Sequence, residues 1–141
     1  MWQGGASMTE AETPPGAAGA PVPRVLGNTE SIVAGDSTAA GALWRLSEPG
    51  RQLDANLIRV PPGARIDTHT EPDLDVLLLV VAGDGTLATE ADPQPLAPGS
   101  LVWLPHGSAR GLIAGDGGLS YVTVHRRRPG MRIGSRPSTG T

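Results

Sequence analysis

The sequence predicts an all-β domain, a small antiparallel β-barrel or double-sheet jelly roll. Three observations carry that prediction: short apolar runs at regular spacing, turn residues between them, and no sustained helical period. The runs are 31–34, 42–46, 55–60, 76–82, 86–89, 101–104, 110–114 and 119–125. Between them stand Glu48-Pro49-Gly50, Pro61-Pro62-Gly63, Gly83-Asp84-Gly85, Ala97-Pro98-Gly99, Pro105-His106-Gly107 and Gly115-Asp116-Gly117-Gly118. Gly supplies positive φ and Pro fixes φ, so each separator is a turn with a mechanism. The chain has 20 Gly and 14 Pro in 141 residues without Gly at every third position, which excludes collagen and leaves many turns as the simpler reading. That length holds one domain.

Taken in order, residues 1–23 are Gly, Ala, Pro and Thr with hardly any large apolar side chain. They bury too little to offset ordering and are expected to be a disordered leader. Residues 24–125 form the β domain, whose first strand is expected at 31–34. The Pro-Gly turns before Ala64 and Ser100 start strands. Residues 76–82 are apolar without alternation, which predicts a strand covered on both faces by another sheet or another subunit. Gly83-Asp84-Gly85 is expected to be a hairpin-type turn. In 119–125, Tyr121, Thr123 and His125 share one face, and Val122 and Val124 the other. Trp44 and Trp103 are expected in the core or a cavity wall. Residues 126–141 hold 5 Arg and no acid. They are expected to be a solvated basic tail, or else an arm touching an anionic ligand, a partner or another protomer.

Composition excludes several classes. The net charge is −3, and residues 24–125 carry 6 Arg against 12 acids, so no nucleic-acid partner is expected. There is no Cys, which removes disulfides and thiolate chemistry. No basic segment followed by an apolar run opens the chain, and its longest apolar run is far too short to span a bilayer. A soluble cytoplasmic protein without membrane contact is expected. Neither a G-x-S-x-G elbow nor a phosphate-binding G-x-x-x-x-G-K-[ST] loop is present.

Two blocks carry chemistry. The first runs Gly63, His69, Glu71, Asp75 and then Gly83; the second runs Gly99, Pro105, Gly107, Arg110 and Ala114. Their spacing resembles the two motifs of the cupin superfamily, over roughly residues 63–114. The resemblance implies a cupin barrel with a cavity mouth. In that family the first motif supplies two His and a Glu, and the second a His, to a divalent metal. Here His69 keeps the first position and Glu71 stands at the second. The acid falls on Asp75, or on Val76 if the loop is one residue longer. Arg110 stands where the second motif has His, and Ala114 where it has Asn.

Residues i and i+2 of a strand face one way, so His69 and Glu71 are expected to project together. Arg110 offers only donors and stays protonated, so it cannot ligate a metal. Two readings follow. In one, Arg110 takes the place and charge of the metal and pairs with Glu71 or Asp75, leaving a metal-free cavity lined by His69, Glu71, Asp75 and Arg110. In the other, His69, Glu71 and Asp75 hold one divalent ion, with Mn, Fe, Ni or Zn as candidates and an oxygen-rich set favouring the harder ions such as Mn(II), Fe(II) or Mg(II).

Three functions stay open on that basis: a small-molecule-binding protein or metal-free acid–base enzyme, a metal-dependent oxygenase, isomerase, cyclase or decarboxylase, and a structural or interaction module. A homodimer is expected under all three, since the family commonly pairs and open sheet edges invite pairing.

Overall fold

The computed structural model describes residues 20–36 and 38–128. The expected leader lies almost wholly outside the described residues, and so does the tail beyond Arg128. The elements are α1 (Thr29–Gly35), β1 (Gly41–Arg45), β2 (Leu53–Val60), β3 (Arg65–Thr70), β4 (Val76–Ala88), β5 (Gln94–Leu96), β6 (Leu101–Leu104) and β7 (Ala109–Arg126). The strands form one seven-stranded sheet in the order β1-β2-β7-β4-β5, with β3 on β7 and β6 on β4. Every pairing is antiparallel. The sheet curls into a small barrel of jelly-roll type, as the spacing of runs and turns predicts.

The spine is the long β4–β7 pair, and here the structure corrects two expected turns. Gly83-Asp84-Gly85 does not end a strand: β4 runs through it, and β7 runs through Gly115-Asp116-Gly117-Gly118. The register slips between Val80 and Ala82 and again between Gly83 and Gly85, so the bend is made by bulges inside the strands. The reason for glycine is close backbone approach. A Cβ on Gly83 would lie 2.0 Å from the Gly118 carbonyl oxygen, at φ +75°. One on Gly85 would lie 2.3 Å from that of Ile113. True turns occur where Pro precedes Gly: Gly63 and Gly99 take φ 74° and 93°.

The expected strand at 31–34 is instead α1. The Asn28 side chain accepts from the Ser31 N–H at 3.1 Å, Glu30 sits in the first turn, and the Arg59 guanidinium donates to the carbonyls of Val33 and, at 2.6 Å, Asp36 at the other end. A short apolar run fits either element until its caps are known.

Burial alternates over the first five residues of β4. Val76, Leu78 and Val80 are buried, while Leu77 and Leu79 are 46% and 37% exposed. The expectation that both faces of 76–82 are covered therefore fails within this chain: the outward face is open to solvent. Trp103 shares that face at 61% exposure, so it is not core; it borders a surface hollow beside Leu101, Leu104 and Pro105. Trp44 lies with Ala55, Leu57 and Val122 in a separate groove under residues 24–32. The inner face carries the core, in which Leu78, Val80 and Leu119 meet Leu87, Leu104, Leu112 and Tyr121. Each such aliphatic side chain contributes about 1.5–3 kcal/mol by leaving water.

Candidate functional site

A cavity of about 230 Å³ opens on the inner face of the barrel. Its apolar wall includes Leu78, Leu87, Leu104 and Leu112 from β4, β6 and β7. Its polar groups are His69, Glu71, Arg110, Tyr121, Thr123, His125 and Arg128. The alternation of β7 explains four of these: Arg110 shares its face with the core residues Leu112 and Ala114, and Tyr121 with Thr123 and His125. The β3–β7 ladder sets His69 directly opposite Arg110.

Glu71 lies just past the end of β3 and ties the two sequence blocks together. Its carbonyl accepts from the Gly107 N–H at 2.7 Å. One carboxylate oxygen accepts from the N–H groups of Asp73 (2.8 Å) and Leu74 (3.2 Å). The other accepts from the Arg128 guanidinium at 2.5 Å. The Asp73 N–H, together with Arg128, holds the Glu71 carboxyl below the usual Glu range although partial burial works against it.

Asp75 is not in the cavity, which corrects its assignment to the cavity set. Its Oδ1 accepts from the His106 N–H at 2.9 Å and lies 2.7 Å from His106 Nδ1, bridging to the β6–β7 turn. The His106 N–H keeps this carboxyl low. The reason is local: Asp75 and the buried Val76 are adjacent on an extended chain and so point to opposite faces.

Arg110 corrects a second expectation, because it pairs with neither Glu71 nor Asp75. It is 5% exposed. Its Nη1 donates to Ser108 Oγ (2.8 Å), the Ser108 carbonyl (3.1 Å) and the Pro105 carbonyl (3.3 Å). Among the described residues no carboxylate reaches it. Glu71 is engaged by Arg128 and two N–H groups, and Asp75 is bonded to His106 instead.

The trio His69, Glu71 and Asp75 is therefore not assembled. Among the described residues no three His, Asp or Glu side chains form a group that could hold a metal ion. With Glu71 neutralised by Arg128 and a guanidinium opposite His69, the donor set as arranged does not suit a divalent cation.

Sequence reasoning did not single out Arg128, leaving it in a basic tail read as solvated or as an arm for an anionic ligand or partner; it touches the cavity's carboxylate from 57 residues away. The two-residue period put His125 on one face with Tyr121 and Thr123, and the structure puts all three on the cavity lining. Burial pushes the Tyr121 hydroxyl up to about 12, so it stays protonated and able to donate.

No family model matches the chain, and no curated protein matches it. Solved structures do match. BH2720 from Bacillus halodurans aligns at TM-score 0.62 and 19% identity, over 79% of this chain and 86% of that one. A cupin-2 domain containing protein from Shewanella frigidimarina aligns at TM-score 0.56 and 15% identity, over 72% of this chain and 95% of its own. The DMSP lyase DddQ from Ruegeria pomeroyi aligns at TM-score 0.53 and 23% identity, over 60% of this chain; the match spans only 45% of the lyase. No helix among the described residues is long and apolar enough to cross a membrane. Two long bent antiparallel strands, an inward cavity and these structural matches converge: the chain has the fold of the cupin superfamily.

Proposed function

We propose that this protein binds a small molecule in the barrel cavity without a catalytic metal, and that Arg110 supplies the fixed positive charge of the site. One observation carries the reading. The position where the cupin motif has a metal-binding His holds a buried guanidinium that no carboxylate of the described chain neutralises. A cation in that place repels a second cation and attracts an anionic or strongly polar ligand. His69, His125 and the protonated Tyr121 hydroxyl are lining groups able to exchange or donate a proton to what is bound, so simple acid–base chemistry is compatible with the site.

A metal-dependent enzyme is the second reading: His69, Glu71 and His125 line one cavity, although as arranged they do not form a group that could hold a metal ion. Metal content by plasma mass spectrometry, on protein purified without a His tag, separates the two. The proposal expects substoichiometric metal that His69→Ala and Glu71→Ala leave unchanged. Near-stoichiometric Mn, Fe, Ni or Zn, lost in both variants, replaces it with the metal-dependent reading.

A further inference from the structure

We infer that the ligand is a small aliphatic carboxylate, with its acid group on the Arg110 guanidinium and its hydrocarbon body against Leu78, Leu104 and Leu112. The inference rests on the metal-free binding reading and names the ligand class of that same cavity.

The charge balance of the lining comes first. On the lining, Arg110 and Arg128 face one carboxylate, Glu71; Arg128 is bonded to it and also lies 3.8 Å from Asp73 outside the lining, so the charge of Arg128 is met at the mouth. The charge left without a carboxylate among the described residues is the buried one, on Arg110. Its surroundings are neutral: two carbonyls and a hydroxyl, all contacted by Nη1 alone. A guanidinium has five N–H donors on three nitrogens. Among the described residues the donors on Nε and Nη2 have no protein acceptor. Buried donors without acceptors are costly, and a planar fork of donors matches the two oxygens of a carboxylate.

Charge and size narrow the class. A single uncompensated positive charge is balanced by a monoanion, whereas a phosphate dianion would leave buried negative charge behind. Arg110 borders two hollows: one of about 630 Å³ on the side of Pro105 and Ser108, and the inner cavity of about 230 Å³, which carries the aliphatic wall and falls below the roughly 300–1,000 Å³ of drug-sized sites, so a ligand seated against that wall is small. The wall is branched aliphatic side chains. The chain contains no Phe, and Tyr121 is the aromatic side chain on the lining, so the walls offer contact to alkyl groups more than to a stacked ring.

Calorimetric titration of the full chain with the straight-chain acids from butyrate to octanoate, each beside its neutral amide, tests this. At least one acid is expected to bind, with its amide weaker by about tenfold or more. Arg110→Met is expected to erase the acid's advantage, and Arg110→Lys to keep part of it. Amide shift changes at Leu112 and Tyr121 in NMR spectra are expected to place the acid in the cavity. Should Arg110→Met not fold, the acid-to-amide ratio of the wild type decides alone. An amide that binds in the cavity as tightly as its acid overturns the ligand class and leaves the binding reading standing. No binding by any acid overturns the inference, and if the protein also carries stoichiometric metal the binding reading falls with it.

Discussion

The mouth of the cavity and its interior handle charge in opposite ways. At the mouth, Glu71 meets Arg128 and two backbone N–H groups, and Arg128 keeps half of its side chain in water. In the interior, Arg110 has neutral oxygens for company and is almost wholly shielded. An exposed pair of the first kind contributes about 0–1 kcal/mol and pins a loop. A buried cation without a counter-ion costs several kcal/mol of desolvation, only partly offset by neutral acceptors. Stability therefore accounts for the mouth and leaves the interior charge unexplained, unless something anionic enters to meet it.

Four variants break or sharpen that contrast. The largest effect is expected inside: Leu78→Ala removes a side chain that is 1% exposed and should cost about 2–5 kcal/mol in urea unfolding. A negligible cost would mean that the interior wall is not packed as described. Arg110→Met is expected to leave the ligand-free protein unharmed or to stabilise it by about 1 kcal/mol, since an apolar chain of similar length replaces a buried charge. A loss of several kcal/mol would make Arg110 a structural residue and erase the contrast.

Glu71→Gln should cost at most about 1 kcal/mol at neutral pH. Its signature is pH. The folded-state carboxyl titrates below its ordinary value of 4.5, so its contribution is present above that value and is lost as pH falls through the depressed one. The Gln variant should show a flatter acid limb in a series of thermal melts, and an unchanged limb would show that the pair at the mouth does not hold the loop. Smallest of all, Trp103→Ser on the open outward face should stay within about 0.5 kcal/mol of wild type in the same urea assay. A larger loss would mean that this face is covered in solution.

Much of the scaffold was legible because its signals are local. Pro followed by Gly marks real turns at Gly63 and Gly99, and the run at 101–104 became β6 with the same bounds. The bends at Gly83 and Gly118 were not legible, because glycine signals both a turn and a close approach of two backbones, and the second depends on which strand lies opposite. The site divides the same way. Motif spacing put His69 and Arg110 in one cavity, and the ladder sets them face to face. It misassigned Asp75 and passed over Arg128, because the partners of those side chains, His106 and Glu71, are far away in sequence. A charged side chain's partner is a property of the folded neighbourhood, and periodicity carries no trace of it.

The central claim is that a guanidinium, not a metal ion, is the cation of this cavity. Equilibrium dialysis of Mn(II) and Zn(II) against wild type and Arg110→His tests it most directly, because the substitution removes the resident charge and restores an imidazole opposite His69. The account predicts little retained metal in the wild type and a clear gain in the His variant. Equal, near-stoichiometric retention by both proteins would contradict it.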